Sequence, residues 1–89
     1  MRVKIRLYAV LRDLYGASED LLEFNRDRIS VRELLEIIAS RNDSLKKFIT
    51  SRGESILTLV NGVYASLEQD LRDGDVVDIL PPASGGFIE

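Results

Sequence analysis

Residues 29–42, ISVRELLEIIASRN, constrain the chain more than any other stretch. Ser30 stands where a helix N-cap belongs, and Glu33 follows three residues later. That is the spacing of a capping box, in which two orphan backbone N–H groups are satisfied reciprocally. Ile29 before the cap and Leu34 after it have the spacing of a hydrophobic staple. Val31, Leu34, Leu35 and Ile38 recur at i, i+3, i+4 and i+7, one apolar stripe that needs an apolar surface to cover it. The flanking segments supply that surface as strands, so the expected arrangement is a helix packed on a sheet.

Residues 2–9, RVKIRLYA, alternate. Val3, Ile5, Leu7 and Ala9 point one way and Arg2, Lys4, Arg6 and Tyr8 the other, which predicts a strand with one buried face and one solvated face. DLYGASED (13–20) reads as turn-rich, and LLEFN (21–25) as a second strand in a hairpin with the first. SLKKFITSRGES (44–55) reads as a short helical turn followed by a loop. In ILTLVNGVYAS (56–66), Asn61-Gly62 lies between β-rich runs, the strongest short hairpin signal, because a type I′ turn needs positive φ at both central residues. LRDGDVVDILPP (71–82) holds a turn at Gly74 and then a final strand from Val76 to Leu80, with Val77 and Ile79 sharing one face. No repeat, low-complexity segment or linker precedes residue 81. The order β-β-α-β-β predicts an α+β fold, a mixed sheet with one main helix. The expected form is a β-grasp (ubiquitin-like) roll over residues 1–80, with its first and last strands adjacent and parallel. Residues 81–89 are expected as an extended C-terminal tail.

Composition then narrows the function. With 89 residues there is room for one domain and one core. The chain has no cysteine and no histidine, which removes thiolate chemistry, the commonest general base and the commonest metal ligand. An autonomous enzyme is therefore disfavoured. The two carboxylates of Asp73-Gly74-Asp75 read as turn chemistry, and no metal is assigned. A net charge of -3 argues against nucleic acid as the main partner. No apolar run approaches the roughly 20 residues that span a bilayer, and the alternating N-terminus is not a signal-peptide core. The expectation is a soluble cytoplasmic protein without a membrane partner.

The tail carries the chemistry. Pro81-Pro82 fixes φ at two positions and favours extended geometry, projecting the last residues away from the body. Ala83 and Ser84 are small, and Gly85-Gly86 have no Cβ, so this backbone can enter a narrow channel or approach a nucleotide closely. A glycine carboxyl is also the least hindered acyl group a protein can offer for activation. The plain alternative is a frayed, Gly-containing terminus.

YAVLRDLYG (8–16), LVNG (59–62), LRDGDVVDILPP (71–82) and PPASGG (81–86) together resemble the molybdopterin synthase small-subunit family. These are the MoaD-type members of the MoaD/ThiS group of ubiquitin-like sulfur carriers, and the resemblance runs from the first strand to Gly86. It implies that Gly86 is the acyl carrier and Gly85 its steric partner. A partner resembling ubiquitin-activating enzymes would adenylate Gly86 using ATP, and a sulfurtransferase pathway would convert it to a thiocarboxylate. The tail would then insert into the large molybdopterin synthase subunit and give its sulfur to a pterin precursor for molybdenum or tungsten cofactor. No cofactor is implied on the chain itself, and a subunit of this kind has no turnover alone. The sequence departs from the family in continuing with Phe87-Ile88-Glu89, so a free Gly86 carboxylate requires a processing protease.

Sheet parity adds a second candidate site. Tyr8 and Leu80 fall on the solvated face of neighbouring strands close to the tail, and Tyr64 follows the Asn-Gly turn. These three, with Pro81, Pro82 and Ser84, form the expected partner-binding set, and the resemblance extends it to Arg12, which pairs with an acidic partner or orders its loop. Scattered surface apolar residues are the bland reading, and Arg2, Lys4 and Arg6 are read as the solvated side of a strand. Alternative functions are a carrier for thiamin or tRNA thiolation, a protein modifier, and a β-grasp interaction module whose glycines are never activated.

Overall fold

The computed structural model describes residues 1–52 and 55–82. Its five-stranded sheet is built from β1 (Arg2–Leu7), β2 (Glu19–Glu23), β4 (Leu57–Val60), β5 (Val63–Tyr64) and β7 (Val76–Leu80). The spatial order is β2-β1-β7-β4-β5. β1 and β7 are parallel neighbours in the middle, with Ile5 opposite Val77 and Leu7 opposite Ile79, and the outer pairings are antiparallel. This is the mixed sheet of the β-grasp roll. A second, two-stranded sheet joins β3 (Ile29–Ser30) to β6 (Asp70–Leu71).

Helix α2 (Val31–Ala39) covers one face of the large sheet and begins as its capping box dictates. Ser30 Oγ accepts from the Glu33 N–H at 3.1 Å, and Glu33 Oε1 accepts from the Ser30 N–H at 2.9 Å. The N–H groups of Val31 and Arg32 donate to the carbonyls of Gln69 and Leu67, so the first turn leaves no buried orphan donor there. Val31, Leu34 and Ile38 are completely buried against Val3, Ile5 and Val77 in a single core. Burial of each such side chain stabilises the fold by roughly 1.5–3 kcal/mol.

Two helices accompany α2 that pattern reading did not supply in full. The helix α1 (Val10–Tyr15) starts before the segment read as turn-rich, runs into its first three residues and is closed by Gly16 at φ 97°. Leu11 sinks fully into the core, and Gly16 provides the left-handed C-cap that glycine favours. β1 and β2 do pair antiparallel, but across this helix rather than through a tight hairpin. α3 (Asp43–Arg52) extends the short helical turn expected here into a helix of 10 residues, over part of what was read as loop. Asn42 starts it, its Oδ1 accepting from the Leu45 N–H at 2.7 Å while its Nδ2 ties back to the Leu14 carbonyl at 3.0 Å. Leu45 and Ile49 are the buried residues of its inner face. The small β3–β6 sheet is likewise not evident from sequence pattern. No helix among the described residues is long and apolar enough to cross a membrane.

Candidate functional site

The site is organised around β7, because that strand delivers the tail. Its start is fixed by the motif read as turn chemistry. Gly74 adopts φ 89° and its N–H donates to the Arg2 carbonyl at 2.8 Å. Asp75 Oδ2 accepts from the Arg72 N–H, and Asn61 bridges across, its Oδ1 taking the Val76 N–H at 2.9 Å and its Nδ2 reaching Asp75 Oδ1. Asn61 and Gly62 stand at φ 52° and 86°, as the hairpin turn demands. The Asn-Gly and Asp-Gly turns are thus one unit that sets the register of β7 between β1 and β4. Central placement then sends the chain out at the sheet's middle through half-buried Pro81 and Pro82. Ser84, Gly85 and Gly86 lie outside the described residues.

Alternation assigns the sheet's open face. Leu57 pairs with Leu80, Leu59 with Asp78 and with Tyr64, and Arg6 with Asp78 and with Glu19. One row therefore crosses all five strands, reading Glu19, Arg6, Asp78, Leu59 and Tyr64. The next row toward the tail holds Leu80 and Leu57, with Tyr8 beside them. Tyr8, Leu80 and Tyr64 do share this face, as parity predicted, and Tyr64 is 71% exposed. Arg12 stands apart on α1, where its nearest carboxylate is Asp13 at 3.4 Å.

The centre of that face holds a residue that sequence reading missed. Asp78 is only 7% exposed although its neighbours look outward. Arg6 donates to it twice, Nε to Oδ1 at 2.6 Å and Nη2 to Oδ2 at 3.1 Å, and the Tyr8 hydroxyl donates to Oδ1 at 2.9 Å. Arg6 is thus part of a bonded cluster rather than merely a solvated strand residue. Hydrogen bonding from Arg6, supported by Tyr8, holds the Asp78 carboxyl below its ordinary range against the opposing effect of burial. The same hydrogen bond raises the Tyr8 phenol. The signal was present in VVDIL, where a lone carboxylate interrupts an apolar strand, but only the parallel register places Arg6 against it.

Tyr8 sits at a sharp junction. Its N–H donates to the Ile79 carbonyl, and the following Ala9 takes φ 54°, ψ -129°, a conformation glycine would favour. The bend turns the chain from β1 into α1 beside the exit of β7. On the helical side of the molecule, a groove of about 640 Å³ runs between α2 and α3, lined by Arg32, Glu36, Lys46 and Arg52 among others. It lies across the sheet from the face that adjoins the tail.

A family model for the ThiS family matches residues 5–86, from the second buried residue of β1 to the second glycine of the tail. The chain belongs to the ThiS family, a group of ubiquitin-like sulfur carriers. Solved structures agree. The Pyrococcus furiosus protein assigned as molybdopterin converting factor, subunit 1, is 32% identical, with a TM-score of 0.78 over 93% of this chain and 99% of that one. Small archaeal modifier protein 1 of Methanosarcina acetivorans is also 32% identical, with a TM-score of 0.77 and 96% of each chain covered. The BexX/CysO complex of Amycolatopsis orientalis contains a chain 26% identical, with a TM-score of 0.66 over 94% of this chain and 99% of that one. No curated protein matches significantly.

Proposed function

We propose that this member of the family is the sulfur carrier of a molybdopterin synthase, with Gly86 as its acyl carrier. The observation that carries the reading is PPASGG inside the family match, directly behind the central strand, joined to the identity with the Pyrococcus furiosus converting-factor subunit. A protease first cleaves after Gly86, removing Phe87-Ile88-Glu89 and freeing the carboxylate. That carboxylate attacks the α-phosphate of ATP on a ubiquitin-activating-like adenylyltransferase, releasing pyrophosphate and forming an acyl adenylate. The terminal sulfur of a sulfurtransferase persulfide displaces AMP to form an acyl disulfide, and a second thiol reduces its S–S bond, becoming half of a new disulfide and leaving the thiocarboxylate. In the large synthase subunit the tail yields its sulfur to a pterin precursor and returns to a carboxylate. The chain contributes no general base to these steps. It supplies an unhindered acyl end, a tail of small residues for a narrow channel, and an apolar docking face of Tyr8, Tyr64 and Leu80 beside Pro81 and Pro82.

A second reading has its own support, the equal identity to a small archaeal modifier. There the activated Gly86 acyl group passes to an amine of another protein. Intact mass of the protein from its own cells tests the carrier chemistry. A chain ending at Gly86, partly with one oxygen replaced by sulfur, is expected; a population retaining residues 87–89 throughout would overturn it. Lysines of other proteins carrying the branch 73–86 of this chain after trypsin digestion, without pterin sulfuration by the isolated thiocarboxylate and large subunit, would replace the first reading with the second.

A further inference from the structure

The open face poses a desolvation problem that its partner has to solve. Tyr8, Leu57, Leu59 and Leu80 surround Asp78, and Arg6 lies on it with its side chain 42% exposed. A guanidinium has five N–H groups. Asp78 accepts one from Nε and one from Nη2, which is the side-on mode, and no other acceptor for Arg6 occurs among the described residues. The end-on edge, formed by Nη1 and the second N–H of Nη2, has no hydrogen-bond partner among the described residues.

Nor can Arg6 swing aside when a partner lands. Leaving Asp78 would abandon a nearly buried carboxylate whose one other side-chain donor is the Tyr8 hydroxyl. A wholly apolar partner surface would strip water from a charged fork and return nothing, a penalty that falls on wrong partners alone. Two parallel N–H groups on that edge match the two oxygens of a carboxylate.

We infer that Arg6 is the specificity-determining residue of the open face, and that the adenylyltransferase seated there places a carboxylate against its end-on edge within an otherwise apolar contact. The inference rests on the proposed carrier function, since activation must bring the tail and its adjoining face to one partner. Asp78 is the positioning residue: it orients Arg6 and Tyr8 and takes no part in the chemistry.

The test is calorimetric titration of the full chain into the adenylyltransferase of the same organism, at low and high salt. In the double variant Arg6→Leu/Asp78→Leu the face becomes wholly apolar and keeps its area. Replacing both members of the pair leaves no unpaired charge, so the thermal midpoint is expected to hold. Binding is expected to weaken by about tenfold or more and to lose salt dependence. Equal or tighter binding would overturn the inference. If the leucine pair associates with itself, Arg6→Gln/Asp78→Asn takes its place, with the same loss expected and unchanged affinity again fatal. Failure of the unaltered chain to bind would remove the carrier reading and this inference with it. Normal binding by both chain and variants removes the inference alone.

Discussion

The two faces of the central sheet are built by the same strands and obey opposite rules. Toward α2, Val3, Ile5, Leu7, Val77 and Ile79 are all within 2% of complete burial. Toward solvent, the same strands carry Arg2, Lys4 and Arg6 on β1, then Asp78 and Leu80 on β7, and β4 adds Leu57 and Leu59. The covered face is uniform because only close packing is asked of it. The open face is divided. Its β1–β2 half pairs Arg2 with Glu23 and Lys4 with Glu19, exposed ion pairs that add little stability. The half nearest the tail exit keeps apolar residues exposed, and one buried carboxylate holds a cation among them. A fold needs only the first face; the second shows where a partner is expected.

This contrast can be broken by substitution, beginning with the covered face. Ile5→Ala removes a completely buried side chain between two central strands and α2. A loss of about 2–5 kcal/mol is expected by urea denaturation, which in a domain this small approaches unfolding. A loss below about 1 kcal/mol would mean that the core relaxes around the gap. Ser30→Ala attacks the same face through the helix that covers it, by removing the oxygen that caps the Glu33 N–H. The expected cost is about 1 kcal/mol, read as a lower thermal midpoint with the open face unaltered.

Two pH effects sharpen the contrast further. Asp78 has a folded pKa below its ordinary 3.8, so its stabilisation is present above that value and lost as pH falls through the depressed one. Asp78→Asn should flatten the acid limb of the stability curve, and an unchanged limb would show that Arg6 and Tyr8 do not hold the carboxylate in solution. Tyr15 on α1 donates to Asp20 on β2, and burial followed by that hydrogen bond pushes its phenol up to about 12. Its contribution is complete below the ordinary value of 10.0 and disappears as pH rises through the folded one. Tyr15→Phe should therefore reduce the loss of stability across that alkaline window, as followed by circular dichroism, leaving the part that the raised Tyr8 phenol contributes. The smallest effect on folding belongs to the apolar half of the open face. Leu57→Ser, at a residue 44% exposed, should change stability by no more than about 0.5 kcal/mol. It should nevertheless weaken partner binding, and the separation of the two readouts marks a surface kept for docking.

Much of this was legible along the chain wherever a local rule has one outcome. Alternation at residues 2–7, the Ser30–Glu33 box and Asn61-Gly62 each specify geometry within a few residues, and each forms as written. The central parallel pairing followed from element order. α1 and the full extent of α3 escaped because their helical state depends on distant partners: Leu11 and Leu45 are helical because a core is there to receive them. Propensity is a weak prior beside such packing.

By itself the sequence determined the faces of its strands, the start of its main helix, the sharp turns and the glycine tail, since these arise from steric and hydrogen-bonding rules that act over a few bonds. Tertiary structure alone decided that Asp78 would meet Arg6 and Tyr8, residues 70 or more positions away, beside the point where the tail departs. That meeting requires a parallel register set at the far end of the strand by Asn61, Gly74 and Asp75. No pattern within either strand encodes it, because a charge finds its partner in space rather than along the chain.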